Sequence, residues 1–333
     1  MMLPETGHDP VMLEEVLQHL APAPGKTIVD CTVGRGGHAM AIAQRLVAPK
    51  VAQDVAPDVA PDVARDVVHD VTPGASENNT ANGQLIGLDY DPRNLDYARV
   101  RFADLPARFF HANFAELDDA LDEADVGLVD GIFADLGIST NQLFEKEYGL
   151  SFQTPMPLDM RLDPRQRLNA KEIINRWGEE KIADTLYELA DERFSRRIAR
   201  KIVEQRKRGP INTTEELAGL VRECVPPTRG RDRSVEIHPA TRTFMALRMA
   251  VNGEIPNLQR LLKIAPTLLK PGGVLVIISF HSGEDRLVKQ AFRHADQTGA
   301  MSVVTPRPLV PNDAEIARNP RSRSAKMRVG RRP

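Results

Sequence analysis

Residues 27–46 constrain the fold more than any other part of the chain, because a β-rich run, a glycine-rich turn and a helix pattern follow one another there. The pattern predicts a strand over 27–31 and a helix over 38–46. Between them lie Gly34, Gly36 and Gly37. Glycines at this place let the backbone turn sharply and approach a ligand at the helix N-terminus. The segment therefore predicts a strand–turn–helix unit that holds a nucleotide-like cofactor.

The glycine spacing does not by itself identify that cofactor. Gly34, Gly36 and Ala39 satisfy the dinucleotide fingerprint G-x-G-x-x-G/A. The fingerprint is compatible with NAD and with AdoMet, and a tight turn without any ligand would also use glycines. On these residues alone the three alternatives stay open.

Strand and helix patterns alternate through the first 140 residues and resume near the C-terminus. The further predicted strands are 85–89, 108–111, 131–135 and 274–279. Pro92 is expected at the start of a helix, and a turn is expected at Lys270-Pro271-Gly272-Gly273, before the last of these strands. Such alternation implies a parallel sheet with crossover helices.

Strand patterns are absent between about residues 141 and 240. The predicted helices there are 170–177, 179–190, 194–207 and 215–223. Thr213 and Glu216 form a capping-box pattern at the start of the last one. Two more helices are predicted near 243–251 and 255–269. We therefore predict one α/β domain, built from residues 1–140 and 241–333, which an all-helical domain over 141–240 interrupts.

Residues 47–83 have a low-complexity composition. Val and Asp each recur every four residues, and Pro57 and Pro61 break the helix that this period would otherwise favour. The segment holds six acidic and two basic residues, so it contributes −4 to a formal net charge of −2. This composition predicts a disordered loop insertion.

Positive charge is concentrated in two other stretches. Residues 193–208 contain eight Arg or Lys and one acid, and residues 318–333 contain seven and no acid. Stretches of this kind are typical of surfaces that contact RNA phosphates, although a solvated helix face and a frayed tail are the alternatives. In the first stretch, the buried face is predicted at Phe194, Ile198 and Ile202, with arginines such as Arg196 and Arg200 facing solvent.

The remaining composition argues against several classes of protein. The only cysteines are Cys31 and Cys224, which form neither a CxxC pair nor a metal-binding cluster, so we expect a reducing compartment and no metal site. No apolar run reaches the ~18 residues of a membrane span. The first ten residues lack the features of a secretory signal. These observations favour a cytoplasmic protein.

Polar and aromatic residues follow the predicted strands, where an α/β sheet binds its ligands. Asp89, at the end of the second strand, is placed to accept both ribose hydroxyls of an adenosine cofactor, and Phe114, just past the third, to pack against an adenine. An ordinary strand-end Asp and a core Phe are the alternatives. Asp135 ends the fourth strand, and residues 279–285 follow the fifth, where Ser282 could instead cap a helix.

Asp135 suggests a particular reaction. The exocyclic amine of cytosine is a poor nucleophile because its lone pair is delocalised into the ring. A carboxylate that accepts an N–H bond would raise its electron density and orient it toward a methyl donor.

Together these segments resemble the MraW family of bacterial 16S rRNA cytosine-N4 methyltransferases. The matching stretches are His8-x-Pro10-Val11, TVGRGGH (32–38), GLDYDP (87–92), ADLGIST (134–140) with Gln142, GLSF (149–152), PLDMR (157–161), HPATRTF (238–244), LKPGG (269–273), ISFHSGEDR (278–286) and NPRSRSAKMR (319–328). The resemblance implies a Rossmann-like AdoMet-dependent methyltransferase sheet with an inserted helical substrate-recognition domain. It also implies a decoding-centre cytidine of 16S rRNA, in the small subunit or its precursor, as the target.

The resemblance further implies a set of cofactor contacts, at Gly36, Gly37, His38, Asp89, Phe114, Asp135 and Gln142. Asp135 is the candidate catalytic residue and is expected to contact cofactor, base or both. Two features depart from known patterns. The 47–83 insertion is not part of the family pattern, and the proline-framed aromatic that many amino-methyltransferases carry after the fourth strand is absent after Asp135. An NAD-dependent oxidoreductase and a non-catalytic ribosome-assembly factor are the alternative functions. A homodimer is left open.

Overall fold

A computed structural model of the chain describes residues 10–48, 82–226 and 238–333. These residues form one mixed sheet of seven strands with helices on both faces, which confirms the predicted fold class. Residues 49–81, which make up most of the predicted 47–83 insertion, lie outside the described residues.

The seven strands follow the predicted alternation closely. They are β1 (Thr27–Asp30), β2 (Gln84–Asp89), β3 (Ala107–His111), β4 (Val129–Asp135), β5 (Leu269–Ser279), β6 (Ser302–Val303) and β7 (Lys326–Arg331). Their order in the sheet is β3-β2-β1-β4-β5-β7-β6. The first five strands pair in parallel, whereas β7 is antiparallel to both β5 and β6. The carboxyl ends of β1–β5 therefore meet at one edge of the sheet.

The described residues also form thirteen α-helices. Before the helical segment they are α1 (Leu13–Leu20), α2 (Gly37–Leu46), α3 (Pro92–Arg101), α4 (Leu117–Glu123) and α5 (Thr140–Phe144). The helical segment contributes α6 (Ala170–Arg176), α7 (Glu179–Ala190), α8 (Ser195–Arg206) and α9 (Thr214–Cys224). The others are α10 (Thr241–Asn252), α11 (Glu254–Leu268), α12 (Ser282–Gln297) and α13 (Asp313–Arg318).

Local sequence signals explain where several helices begin. The Asp91 side chain accepts the Arg93 N–H and Pro92 occupies the first position of α3, as the sequence predicts. Thr213 and Glu216 form the predicted capping box of α9. The predicted cap at Ser282 is wrong by one residue, because the His281 side chain accepts the Glu284 N–H and Ser282 is already helical.

The sheet buries both faces because its strands are apolar on both sides. In β4, Ile132 and Ala134 pack under α4, α11 and α12, whereas Phe133 between them packs with α1 and α2 on the other face. This alternation follows from the two-residue period of a strand. Burial on both faces is typical of parallel strands covered by crossover helices.

A third hydrophobic cluster joins α6–α9 with α10. Within the described part of residues 141–240 no strand of the sheet occurs. Phe244 and Leu247 of α10 are buried in this cluster, although the predicted limit of the helical domain falls before them, at residue 240. The domain limits stay a prediction, and this packing favours a boundary after α10.

Two sequence-based expectations near the C-terminus are wrong. The predicted turn at Lys270–Gly273 is an irregularity inside a longer β5. Strand β4 pairs with β5 on both sides of it: Val129 pairs with Leu269, and Gly131, two residues later, pairs with Val274, five residues later. Residues 326–331 are not a frayed tail but strand β7, whose Met327 and Val329 are fully buried, and the RNA contact predicted for residues 318–333 stays a prediction. Arg328 is buried as well and donates from Nε to Asp285 Oδ1 at 2.7 Å. Among the described helices, none combines the length and apolarity that crossing a membrane requires.

Candidate active site

The glycine turn after β1 has the conformation that the sequence predicts. Gly34 and Gly36 adopt positive φ angles of 52° and 80°, a region that residues with a Cβ rarely occupy. Gly37 is the first residue of α2, and the Gly36 N–H donates to the Val33 carbonyl at 2.8 Å. A Cβ built on Gly36 would lie 2.8 Å from Phe102 Cε2. Both backbone strain and packing therefore require glycine at position 36.

Gly36→Ala is expected to destabilise the protein more than Gly25→Ala does. Gly25 has a similar φ of 81° but open space around its Cβ position, so it controls for backbone strain alone. The strain costs about 1–2 kcal/mol in either variant, and the Phe102 clash adds to it only at position 36. Thermal unfolding should show a lower Tm for Gly36→Ala, by roughly 2–4 °C for each further 1 kcal/mol. Equal Tm values would mean that Phe102 moves aside at no cost.

Asp89 ties the end of β2 to the glycine turn. Its Oδ2 accepts the Gly34 N–H at 2.8 Å and the Asn94 Nδ2–H at 3.2 Å, and its Oδ1 accepts the Asp91 N–H at 2.9 Å. Burial raises the pKa of Asp89 to about 7, against the opposing effect of these donors. The side chain is 4% exposed and does not line the cleft described next. Ribose binding by Asp89 stays a prediction, and its visible role is to shape the turn.

A narrow cleft lies at the carboxyl edge of the sheet. Its walls come from the segments after β1–β4 and from the first turns of α11 and α12. The lining residues are Thr32, Tyr90, Phe114, Leu136, Gly137, Glu254, Leu258 and Glu284. The cleft leaves about 30 Å³ for water-sized molecules, so a nucleoside-sized ligand requires its walls to separate. Phe114 is half-buried there, where the sequence places an adenine-packing aromatic.

Asp135 and His38 meet beside this cleft, between β4 and α2. His38 Nδ1 lies 3.7 Å from Asp135 Oδ2, and His38 Nε2 lies 2.8 Å from the Val11 carbonyl oxygen. Asp135 Oδ1 is buried and has no hydrogen-bond partner among the described residues. Burial, followed by the charges of Asp30 and Glu284, raises the pKa of Asp135 well above its usual value. A carboxylate oxygen without a donor is the feature expected where a ligand N–H binds.

Asp30 adds a second buried carboxyl group under the cleft. Its Oδ1 accepts the Thr32 N–H at 2.9 Å, whereas its Oδ2 has no partner within the described residues. Burial raises the pKa of Asp30 to about 7, the Thr32 N–H opposes that shift and the charge of Asp89 adds to it. Ionisation of Asp30 therefore opposes folding.

The pH dependence of the free energy of unfolding should report the cost of ionising Asp30 in the folded chain. Because the folded pKa of Asp30 is about 7 and the unfolded value is 3.8, the folded chain binds the extra proton between these values. Its contribution to stability is complete below pH 4 and is lost as pH rises toward 7, by at most about 1.4 kcal/mol per pH unit. Asp30→Asn removes this contribution. Chemical denaturation from pH 4.5 to 8 should show a shallower decline for the variant, whereas parallel curves would contradict the assignment.

Two acidic groups of the cleft were not predicted as site residues. Glu254, at the start of α11, accepts two bonds from Arg248, at 2.7 and 2.8 Å, and both side chains are 15% exposed. Glu284 is buried at the start of α12, where His281 and the Phe280 N–H hold its pKa below the usual range despite burial. Glu284 lies in the ISFHSGEDR stretch that carries the family resemblance, whereas the sequence around Glu254 indicates only the start of a helix.

Among the predicted cofactor contacts Phe114 lines the cleft, whereas Gly36, Gly37, His38, Asp89, Asp135 and Gln142 do not. Gln142 is instead bonded within the protein. It is 2% exposed, and its Nε2 donates to Asp91 Oδ2 at 2.8 Å. The Tyr148 hydroxyl donates to the same oxygen at 2.5 Å. Gln142 also completes the capping box of α5 by accepting the Ser139 N–H. These bonds link α5 and the following turn to the residue that caps α3.

The acidic groups in and beside the cleft favour a cationic cofactor over a dinucleotide. Glu254 and Glu284 line the cleft, and the nearby carboxyl groups of Asp30 and Asp135 each have a buried oxygen without a partner in the described part of the chain. Acidic groups match the sulfonium and ammonium charges of AdoMet, whereas they repel the pyrophosphate of NAD.

The predicted basic surface on α8 is exposed, and three of the eight basic residues in 193–208 are paired with acids. Ile198 and Ile202 are fully buried, Phe194 is half-buried, and Arg196 and Arg200 face solvent as expected. The shortest nitrogen–oxygen distances in these ion pairs are 2.8 Å for Arg196 with Asp184, 3.6 Å for Arg200 with Glu179 and 2.7 Å for Lys201 with Glu223. This surface therefore carries less free positive charge than its composition indicates.

Comparison with known proteins adds independent information. Residues 5–71 and 76–332 match the model described as the MraW methylase family. The chain is 40% identical over 330 residues to a protein of Acidobacterium capsulatum named ribosomal RNA small subunit methyltransferase H, covering 97% of each chain. A protein of that name from Dehalococcoides mccartyi is also 40% identical, over 98% of this chain and 87% of its own.

One solved structure shows a remote resemblance. An rRNA methylase from Streptococcus thermophilus aligns over 98% of this chain and 99% of its own, with 8% identity and a TM-score of 0.42. A likeness at that level carries no argument about function.

Proposed function

The chain belongs to the MraW methylase family, and from this we propose that it transfers a methyl group from AdoMet to the exocyclic N4 of a decoding-centre cytidine in 16S rRNA, in the cytoplasm. The names of its relatives support a small-subunit rRNA as substrate. The observation that carries the choice of an amine is the Asp135 carboxyl group, with its partnerless oxygen beside the cleft.

Asp135 is the residue proposed to act on the amine. When bound, AdoMet supplies an electrophilic methyl group. An ionised Asp135 accepts an N–H bond from the exocyclic amine, which raises the electron density on its nitrogen and orients the lone pair. Methylation leaves the amine with one proton too many, and the raised pKa of Asp135 suits it to take that proton.

His38 is proposed as a positioning residue for Asp135. Its Nε2 lies 2.8 Å from the Val11 carbonyl oxygen, which can only accept, so the Nε2 proton points to Val11. Nδ1 lies 3.7 Å from Asp135 Oδ2, beyond hydrogen-bond distance. The Val11 bond fixes the imidazole, and the ring then packs beside Oδ2 and limits the positions of the carboxylate. The other oxygen is then left for the substrate.

The rest of the cleft is proposed to bind and orient the cofactor. Phe114 supplies the face against which an adenine packs, and the glycine turn supplies backbone close to the ligand. Asp89 acts on this site through the turn, because it holds the Gly34 N–H. The ion pair of Arg248 and Glu254 braces the wall that faces the strand ends.

The two alternative functions account for less of the molecule. An NAD-dependent oxidoreductase would place a pyrophosphate near Asp30, Asp89 and Asp135, which is electrostatically unfavourable. A non-catalytic assembly factor gives no reason to keep a buried carboxylate without a partner at the strand end, because such a group is costly.

Methyl transfer in vitro tests the proposal. The purified chain is incubated with AdoMet carrying a labelled methyl group and with either naked 16S rRNA or small subunits, and the RNA is digested for nucleoside mass analysis. We expect label in N4-methylcytidine. Label in another nucleoside would refute the amine assignment. No transfer to either substrate, with calorimetric binding of NAD in place of AdoMet, would refute the methyltransferase.

A further inference from the structure

Helix α12 carries a basic stripe on its solvent side. Arg286, Lys289 and Arg293 are three and four positions apart, so they share one face of the helix. The opposite face is buried in the core through Val288 and Phe292. In the described part of the chain none of the three basic side chains has a hydrogen bond or an ion pair. Their charge is therefore free, unlike that of the α8 arginines, which face Asp184 and Glu179.

A cavity of about 290 Å³ adjoins this stripe, between α12 and the strands β6 and β7. Lys289 and Arg293 supply its free cations, while Val303 and Pro306 supply apolar wall. Two other residues of the lining are charged. Arg328 is paired with Asp285, whereas Asp296, which accepts the Val303 N–H at 3.2 Å, contributes one negative charge against the two free cations. Two unpaired cations beside an apolar wall suit a phosphate and its attached nucleoside.

The helix that carries the stripe begins at the candidate active site, although Glu284 and Arg286 lie on different faces of it. Glu284, in the first turn of α12, lines the cleft, and Arg286 follows two positions later. From Arg286 to Arg293 the helix rises about 10 Å, which is enough to follow successive phosphates of one strand. A strand that leaves the cleft along α12 would meet the three cations in turn.

We propose that the solvent face of α12 and its adjoining cavity bind the phosphate backbone of the RNA strand that flanks the target nucleotide. The inference rests on the proposed function and assigns the main phosphate contact to α12 rather than to α8. Extruding a base from its stack costs a few kcal/mol, and contacts outside the cleft offset that cost.

The test compares two double variants that remove the same charge. Lys289→Glu/Arg293→Glu changes the α12 surface, and Arg196→Glu/Arg200→Glu changes the ion-paired α8 surface. Binding of a fluorescent 16S rRNA fragment is measured by anisotropy from 50 to 300 mM salt. We expect the α12 variant to bind roughly tenfold more weakly at 0.1 M salt, and its salt slope to fall by about 1.4–1.8, for two lost contacts. The α8 variant should change both quantities less.

Additional measurements separate a binding role from a structural one. Lys289→Gln/Arg293→Gln, which adds no negative charge, should show a smaller shift in the same direction, with unchanged AdoMet affinity and Tm. An unchanged RNA affinity and slope in the α12 variant, or a larger effect of the α8 variant, would overturn the proposal. So would lost activity on assembled subunits with normal binding of naked RNA, because the surface would then contact protein. If wild type binds neither the rRNA fragment nor small subunits, the proposed function itself fails.

Discussion

Asp135→Asn is expected to lower kcat for methyl transfer by about 10²–10⁴-fold, the range typical of losing a general base. Asparagine keeps the shape of the side chain but has no negative charge to polarise the amine and cannot take its proton. Because the substitution removes a buried charge, the fold should be retained. Single-turnover transfer from labelled AdoMet to the rRNA substrate measures the effect directly, and AdoMet affinity by calorimetry shows whether the cofactor site survives.

The pH profile gives the same residue a second test. The pKa of Asp135 is raised well above 3.8, first by burial and then by Asp30 and Glu284. Because the ionised form is the active one, wild-type activity should fall as pH drops through this raised pKa, at a pH above that of an ordinary Asp. The residual activity of Asp135→Asn should not show this fall as pH drops. A variant with normal kcat would reduce Asp135 to a structural residue.

Asp89→Ala is expected to weaken AdoMet binding by roughly 10–150-fold, which corresponds to a loss of about 1.5–3 kcal/mol. The substitution leaves the Gly34 and Asp91 N–H groups and the Asn94 amide without their acceptor. The glycine turn then loses the bond that holds it against the end of β2. Calorimetric titration with AdoMet measures the affinity, and the fitted stoichiometry reports the folded fraction.

Asp96→Ala is the matched control for this variant. Asp96 lies on the nearby helix α3 and is exposed, and within the described residues it forms a surface ion pair with Arg99 at 3.2 Å. Its removal deletes the same charge and should leave AdoMet affinity within about twofold, because such pairs contribute little. Unchanged AdoMet affinity in Asp89→Ala, or an equal loss in both variants, would show that Asp89 has no specific role in cofactor binding.

The fold was predictable from the sequence because its strands carry local signals. Residues 131–135 read as a buried strand, Pro92 as a helix start and Thr213 with Glu216 as a capping box, and each lies where it was expected. Strand β7 was missed because its alternation of Met327 and Val329 with basic residues lies within a stretch that composition alone marks as a tail. Its burial depends on pairing with β5, which is distant in the sequence.

The site was predictable only in part, for a similar reason. Asp135, Phe114 and the glycines follow strands, so the rule for α/β sheets places them at one edge. The partners of a side chain are long-range and have no local signal: Asp89 with Gly34, Gln142 with Asp91, and the α8 arginines with acids of α7. Charge counted along the chain therefore overstated the unpaired positive charge on α8 and did not single out the unpaired positive charge on α12.

Mapping of N4-methylcytidine in 16S rRNA from a strain that lacks this chain tests the central claim most directly. Mass spectrometry of decoding-centre fragments should show that the modification is missing at one cytidine. The wild-type chain should restore it, and Asp135→Asn expressed at the same level should not. A strain without the chain whose 16S rRNA keeps N4-methylcytidine unchanged would contradict the proposed reaction.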